Sequence, residues 1–246
     1  MKFRGGRLVT AVLVVGLVAA VSGCKARAVD DGAGYPGDEP AYARTADVPE
    51  RVEPDGVTVL VGDPRARVTV HLFEDPRCPY CRQFETSGGG PVLAKRVLTH
   101  EVKVEYTLAS FLDGRLGGGG SKRAVNALRA ALDAGKFAEY HTVLYLDQPA
   151  EEVDGFTDAR LLELASEVDG LRTPSFDAAV RTMKYRHFVD ASEASFAAAG
   201  HYGGHEGPGT PTAEVNGHRI PAEQSAILYQ GDVFDQFLTN VIDDAA

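Results

Sequence analysis

Two cysteines separated by two residues constrain the fold of this 246-residue chain more than any other feature. Cys78 and Cys81 enclose a Pro-Tyr dipeptide, and they directly follow an apolar run, Val68 to Phe73, that is typical of a buried strand. Pro79 suits the first turn of a helix, where its missing N–H is no loss. A sulfur atom at a helix N-terminus faces unsatisfied amide groups and the positive end of the helix dipole. The stretch therefore predicts a strand, a loop and a helix that presents a reactive cysteine.

The overall composition is that of a globular protein, with 44% hydrophobic residues and a formal net charge of −10. A chain of this length can bury a substantial core. Because there is no basic patch to neutralise phosphates, we do not expect the protein to bind nucleic acid.

The first 23 residues have the pattern of an export signal. A basic start is followed by an apolar run, Leu8 to Val21, that is shorter than the roughly 20 residues of a membrane-spanning helix. The run ends in Val21-Ser22-Gly23-Cys24, which resembles a bacterial lipobox. We therefore predict a signal peptide over residues 1–23 and a lipid on Cys24 that holds the protein on the extracytoplasmic side of the cell membrane. The alternative is an uncleaved signal anchor with an incidental cysteine.

Three regions are expected along the chain. After the signal peptide, residues 24–55 are rich in Asp, Glu, Gly, Pro and Ala and are predicted to form a flexible linker. Residues 56–246 form the folded domain. Its first part contains two strand patterns, Val68 to Phe73 and Val102 to Ser110, with a helix between them, which predicts a right-handed parallel crossover.

The second half of the domain is predicted to be mostly helical, with a block of helices from about residue 119 to 200. Helix starts are expected at Ser121, as an N-cap, and at Thr157 and Thr173. Strand patterns return at Thr212 to Val215, where an Asn-Gly turn predicts a hairpin. A final amphipathic helix is expected to begin with Asp232 as its cap.

Three stretches of the chain together resemble the DsbA-like branch of the thioredoxin superfamily. They are Val57 to Phe84, the helix from Ser121 through Tyr140-His141, and Gly209-Thr210-Pro211-Thr212 followed by Val215-Asn216-Gly217. The resemblance covers roughly residues 56–246. It implies an α/β thioredoxin fold, in which a central mixed β-sheet is flanked by helices and carries an inserted helical domain.

The resemblance also implies a role for several residues. Cys78 corresponds to the nucleophile and Cys81 to the resolving cysteine, while Pro211 corresponds to a proline with a cis peptide bond beside the disulfide. Thr210 and Tyr80 are assigned to substrate binding. No cofactor is expected, because the redox equivalents reside in the cysteine pair.

One position departs from the family pattern. Many thioredoxin relatives carry a buried acid six residues before the nucleophile, whereas this chain has Leu72 there. Glu74 and Asp75 lie nearer to the cysteines. They are predicted to be loop residues that shape the local charge, and the alternative is that they replace the missing acid.

The cysteine pair has two other possible uses, a metal site and a structural bridge. A zinc site needs about four ligands, so His201, His205 or His218 would have to join the two cysteines. The first two histidines lie in a glycine-rich stretch and are expected to be ordinary loop residues, so no metal site is predicted. A purely structural bridge between Cys78 and Cys81 would close a very small loop and constrain the unfolded chain little.

The predicted function is that of a membrane-anchored thiol–disulfide oxidoreductase outside the cytoplasm. Its partners would be exported proteins with thiols or disulfides, and a membrane redox partner that recycles it. Export favours oxidation of substrate thiols. A tethered reductase or isomerase is the alternative, because the Pro-Tyr dipeptide resembles that of glutaredoxins. A binding module that kept the fold without catalysis is the remaining alternative.

Overall fold

The computed structural model describes residues 1–2 and 41–245. Most of the predicted signal peptide, Cys24 and the predicted linker up to residue 40 lie outside the described residues, so the predictions for them stay predictions. Among the residues that are described, no helix has both the length and the apolar character needed to cross a membrane.

A mixed six-stranded sheet forms the centre of the domain. In spatial order its strands are β1 (Glu50–Val52), β2 (Val59–Val61), β4 (Val102–Leu108), β3 (Val68–Glu74), β7 (Thr212–Val215) and β8 (His218–Arg219). Only β3 and β4 run parallel, while the other neighbours are antiparallel. The thioredoxin-type mixed sheet expected from the sequence is confirmed.

The central strand β3 leads into two helices and returns through the parallel strand β4. The helices are α1 (Pro79–Ser87) and α2 (Gly90–Leu98). They are separated by a glycine break at which Gly89 packs between two aromatic rings, since a Cβ there would lie 2.6 Å from atoms of both Phe84 and Phe234. This unit confirms the predicted parallel crossover.

A block of helices follows β4. Its members are α3 (Leu112–Leu116), α4 (Gly120–Asp133), α5 (Phe137–Leu146), α6 (Asp158–Ala165), α7 (Pro174–Arg181) and α8 (Arg186–Ala198). The side chains of Thr157 and Thr173 accept backbone hydrogen bonds at the starts of α6 and α7, as predicted. The predicted cap at Ser121 is wrong, because Gly119 holds the N-cap position and Ser121 is buried in the first turn of α4.

The chain then returns to the sheet. A small exposed ribbon of β5 (His201–Tyr202) and β6 (His205–Glu206) precedes the predicted hairpin of β7 and β8. Asn216 and Gly217 both have positive φ, as expected of an Asn-Gly turn. The last helix, α9 (Gly231–Ala245), begins at Gly231, so Asp232 lies in its first turn rather than at the predicted cap.

The predicted linker over residues 24–55 extends too far toward the folded domain. β1 pairs with β2, and Val48 is buried in the core. The Glu50 carboxylate accepts hydrogen bonds from the amides of Phe137 and Ala138 at the start of α5, where the helix dipole favours a negative charge. Because these partners come from an element some 90 residues away along the chain, the local composition of the segment did not reveal them.

Candidate active site

Cys78 and Cys81 lie where β3 passes into α1. Cys78 is the N-cap residue of α1 and Pro79 takes the first helical position, as the sequence predicts. Both thiols are free, and the exposed fractions of the two residues are 5% and 0%. Cys78 is therefore the member of the pair that reaches the surface, and Cys81 is fully enclosed.

The loop before β7 completes the site. The Thr210–Pro211 peptide bond is cis, as the resemblance implies. The Cys78 thiol donates a hydrogen bond to the Thr210 carbonyl oxygen, with a distance of 3.3 Å between the sulfur and the oxygen. The contact joins residues 132 positions apart, and it exists because β7 pairs directly with β3. The structure thus brings four of the predicted site residues together: Cys78, Cys81, Thr210 and Pro211.

The environment separates the acidities of the two thiols. A hydrogen bond with the Cys81 thiol lowers the pKa of Cys78 to about 7, against the opposing effect of burial. Contacts with Thr210 and with the first amides of α1 act in the same direction. Burial raises the pKa of Cys81 well above its usual value. At neutral pH the site therefore favours a thiolate on Cys78 and a proton on Cys81.

Glu74 is a buried acid beneath this pair. It is the last residue of β3 and has no exposed surface. Burial raises the pKa of its carboxyl group to about 8, and one carboxyl oxygen lies 3.0 Å from Nε2 of His141 on α5. The prediction that Glu74 is a loop residue is therefore wrong, and the buried acid absent at Leu72 has a counterpart two residues later.

Asp75 lies in the loop after β3, as predicted, and it is fully buried there. Its carboxylate accepts hydrogen bonds from the Ser121 hydroxyl at 2.6 Å and from the amides of Arg77 and Leu112. Burial raises the pKa of Asp75 to about 7. Asp75 thereby fastens the loop before Cys78 to the helical block.

Arg77, the residue before Cys78, makes a second set of buried contacts. Its guanidinium group forms an ion pair with Asp113 at 2.9 Å and donates to the carbonyl oxygens of Gly117 and Glu151. The side chains of both ion-pair partners are almost fully enclosed, with exposed fractions of 2% and 4%. The position of Cys78 therefore depends on contacts that sequence reasoning did not identify.

An open groove of about 500 Å³ lies beside the cysteine pair. Tyr80, Thr210 and Pro211 line it, as do Tyr202 and Tyr229. Tyr80 and Tyr202 are each 60% exposed, and the rings of Tyr80 and Tyr229 lie 6.3 Å apart. The two residues assigned to substrate binding, Thr210 and Tyr80, thus share one surface, which is rimmed by aromatic rings suited to the side chains of a peptide.

The positions of the donor groups do not favour a zinc site on the cysteines. In the described part of the chain, the donor atoms that could jointly hold a metal ion are those of Glu74, Glu85 and His141, which lie within 4.8 Å of one another. Neither cysteine belongs to this group. His201, His205 and His218 are exposed on β5, β6 and β8.

Sequence reasoning missed several residues near the site. Glu85 follows Cys81 by four positions, so helical spacing places both on one face of α1. That spacing is the one signal in the sequence that would have identified it. His141 lies in a stretch that carries the family resemblance, and no local pattern in the sequence indicates that Tyr202 or Tyr229 lies near the site.

Comparisons with known proteins agree with this architecture. A thioredoxin family model matches residues 55–230. No curated protein gives a significant match to the sequence. Among solved structures, oxidised DsbA from Mycobacterium tuberculosis is 27% identical with a TM-score of 0.55, and the match covers 81% of this chain and 100% of that one.

Two further structures are similar. Reduced DsbG, a disulfide bond oxidoreductase from Mycobacterium tuberculosis, is 29% identical with a TM-score of 0.56, over 83% of this chain and 94% of that one. Oxidised BdbD from Bacillus subtilis has a TM-score of 0.62 over 83% of this chain and 100% of its own. At 18% identity, BdbD supports the fold alone.

Proposed function

This chain belongs to the thioredoxin family, in its DsbA-like branch, and from that premise we propose that it is a membrane-anchored thiol–disulfide oxidoreductase that oxidises the thiols of exported proteins. The observation that carries the proposal is the unequal pair at the start of α1. Cys78 has a lowered pKa and contacts the Thr210 carbonyl, whereas Cys81 is enclosed and has a raised pKa. One cysteine is thus suited to meet substrate and the other to stay inside.

The reaction begins with the Cys78–Cys81 disulfide. A substrate thiolate attacks the Cys78 sulfur, the bond to Cys81 breaks, and a mixed disulfide with Cys78 forms. A second substrate thiolate then attacks the substrate sulfur of that mixed disulfide and releases Cys78. Two substrate thiols become one disulfide, and the enzyme disulfide becomes two thiols, so the electrons balance. Cys78 is the leaving group of this second step, and its low pKa of about 7 makes it a good one, which favours oxidation of the substrate.

The groove beside the cysteines is the proposed substrate surface. The backbone of Thr210 would pair with an extended peptide, and Tyr80 would contact a side chain next to the reacting cysteine. Both residues line the groove, which supports these roles. No further cofactor is required by the reaction as written.

Location and recycling are parts of the same proposal. A lipid on Cys24, preceded by Val21-Ser22-Gly23, would anchor the protein to the membrane on its extracytoplasmic side. There a membrane redox partner would reoxidise the cysteine pair. Mass spectrometry of protein extracted from membranes would find residues 1–23 removed and Cys24 carrying acyl chains. An unmodified Cys24 would refute the anchor.

Oxidase activity is tested with the oxidised protein and a reduced, unfolded substrate whose refolding needs disulfides. The protein should restore substrate activity, and the variants Cys78→Ser and Cys81→Ser should not sustain it. The equilibrium with glutathione decides the direction. A reduction potential of the Cys78–Cys81 pair well above about −170 mV supports an oxidase. A value near or below about −270 mV would exclude an oxidase and favour a reductase.

A further inference from the structure

Three side chains of the kinds that bind metal ions meet in the interior of the domain, and each comes from a different element. Glu74 is the last residue of β3, Glu85 lies on α1 and His141 lies on α5. One donor atom of each side chain lies within 4.8 Å of the other two. An ion held there would join the strand that precedes the cysteines, the helix that carries them and the inserted helical block.

The three groups are enclosed together. The exposed fractions of their side chains are 0% for Glu74, 10% for Glu85 and 3% for His141. Nε2 of His141 lies 3.0 Å from a carboxyl oxygen of Glu74, and Nδ1 of the same ring lies 3.9 Å from a carboxyl oxygen of Glu85. A single imidazolium balances the charge of one carboxylate. Two ionised carboxylates in this enclosed space therefore need a further positive charge.

The two carboxyl groups also have free ligand atoms, which is an observation separate from their closeness. Oε1 of Glu74 and Oε1 of Glu85 are buried, and neither has a hydrogen-bond partner among the described residues. Buried polar atoms are normally satisfied, and an exception points to a water molecule or an ion. Both oxygens are thus available to bind a cation.

Aromatic rings fix the orientation of the imidazole. The ring centroid of His141 lies 4.8 Å from that of Tyr106, 5.4 Å from that of Phe137 and 4.9 Å from that of Tyr145. Each ring nitrogen of His141 faces a carboxyl oxygen. One nitrogen can therefore bind an ion while the other donates to a carboxylate, which is the usual arrangement of a metal-bound histidine.

A cavity of about 260 Å³, called the rear cavity below, connects this cluster with solvent. Glu85 and His141 line it, and so do the exposed residues Thr45, Pro91 and Leu146. It shares no lining residue with the substrate groove. An ion can thus enter without passing the place where a peptide substrate would lie.

The donor atoms favour an ion of the zinc type. An imidazole nitrogen suits Zn²⁺ and its neighbours in the first transition row, whereas Ca²⁺ takes about six to eight oxygen ligands. Three protein ligands and one water molecule make the usual open zinc site. Ligand atoms of a tetrahedral zinc site lie roughly 3.4 Å apart, so donors at up to 4.8 Å would close in by about 1 Å on binding.

We propose that Glu74, Glu85 and His141 bind one divalent transition-metal ion of the zinc type, with water from the rear cavity as the fourth ligand. The ion stabilises the fold by joining β3, α1 and α5. Neither cysteine is a ligand, so the site does not depend on the proposed thiol–disulfide exchange.

The test uses Zn²⁺ as the probe and the full chain with Cys78 and Cys81 oxidised to a disulfide, so that neither sulfur can bind the ion. Titration calorimetry should find one tightly bound Zn²⁺ per chain, and Ca²⁺ should not bind. Zinc at about 100 times its Kd should raise Tm by about 5–10 °C, because binding to the folded state alone stabilises it by mass action.

Glu85→Gln keeps the size of the side chain and removes an anionic ligand. We expect the zinc affinity to fall by at least about 10–100-fold, which is the loss seen when a group that only positions a ligand is removed. Glu163→Gln, whose side chain is 67% exposed on α6, is the matched control and should bind zinc like the unmodified protein.

A second control addresses zinc held by surface histidines. His201 and His205 lie on the paired, exposed strands β5 and β6, where they could bind the ion adventitiously. His205→Ala should leave the zinc affinity unchanged. If this variant loses zinc and Glu85→Gln retains it, the ion is adventitious and the proposed site is wrong.

A second measurement keeps the proposal testable if Glu85→Gln fails to fold. Crystals of the unmodified protein, soaked in zinc, would locate the ion by its anomalous X-ray scattering. A peak between Glu74, Glu85 and His141 supports the site. A peak only elsewhere, no zinc binding to the oxidised protein, or equal affinity in a folded Glu85→Gln variant would each overturn it.

Discussion

The hydrogen bond between the two cysteines should set the reactivity of Cys78, and removing it has a predictable cost. The pKa of Cys78 is lowered from 9.0 to about 7, with the Cys81 contact as the largest cause. A difference of that size corresponds to about 2–3 kcal/mol in favour of the thiolate. Hydrogen bonds to charged groups contribute about 1.5–3 kcal/mol, so Cys81 accounts for much of it.

The perturbation is Cys81→Ala, which deletes the donor. We expect the pKa of Cys78 to rise by about 1 to 2. Because a thiol ionises above its pKa, the thiolate fraction at pH 7 should fall from about one half to roughly one to ten per cent. Alkylation of Cys78 by iodoacetamide at pH 7 should slow by about 5- to 50-fold.

Cys81→Ser is the matched control, because its hydroxyl group retains a donor at the same position. The assay is the ultraviolet absorbance of the thiolate as a function of pH, supported by the alkylation rates. The serine variant should titrate close to the ordinary reduced protein. If Cys78 in Cys81→Ala also titrates near pH 7, the hydrogen bond with Cys81 is not the main cause of its low pKa. The first amides of α1 and the contact with Thr210 would then be the main causes.

Three other substitutions, two of them with a matched comparison variant, test the scaffold and the groove. Arg77→Met would leave the buried carboxylate of Asp113 without its ion-pair partner and should lower the free energy of unfolding, measured by urea titration, by about 3–5 kcal/mol. Arg181→Met removes the more exposed ion pair with Asp177 and should lower it by less than about 1 kcal/mol. Equal losses in the two variants would contradict the importance of burial. Gly89→Ala should destabilise by about 1–3 kcal/mol in the same assay, because its Cβ meets two aromatic rings at 2.6 Å. Gly114→Ala, in α3 with open space around it, should instead stabilise by about 0.5–1 kcal/mol. Tyr202→Ala should reduce kcat/KM for a groove-filling peptide by roughly 2- to 10-fold while leaving glutathione kinetics unaffected, and equal effects on both would exclude a role in peptide binding.

Features with local physical causes were predictable from the sequence. The apolar run of β3, the Cys-Pro-Tyr-Cys box, the caps at Thr157 and Thr173 and the Asn-Gly hairpin each depend on neighbouring residues. The cis bond before Pro211 followed from family resemblance rather than from spacing.

Features that depend on distant partners were not predictable. The sequence predicts only that Glu74 and Asp75 lie in a loop, because no neighbouring residue indicates the buried contacts with His141 and Ser121. Glu50 likewise read as part of a linker, although it binds the start of α5. In each case the local sequence predicted a loop or linker residue, and the carboxyl group instead contacts a helix of the inserted block.

The direct pairing of β3 with β7 has a consequence for how this protein can change. The two chain segments that form the redox site are joined by one ladder, from Val70 opposite Val215 to Phe73 opposite Thr212. The long segment between them contacts the residues before Cys78 from α3, through Leu112 and Asp113, as well as from α4, through Ser121, and α5, through His141. Helices α6 to α8 can therefore gain turns, lose turns or acquire new surfaces while the sulfur chemistry stays the same. They are the natural place to graft a new recognition surface onto an unchanged reaction.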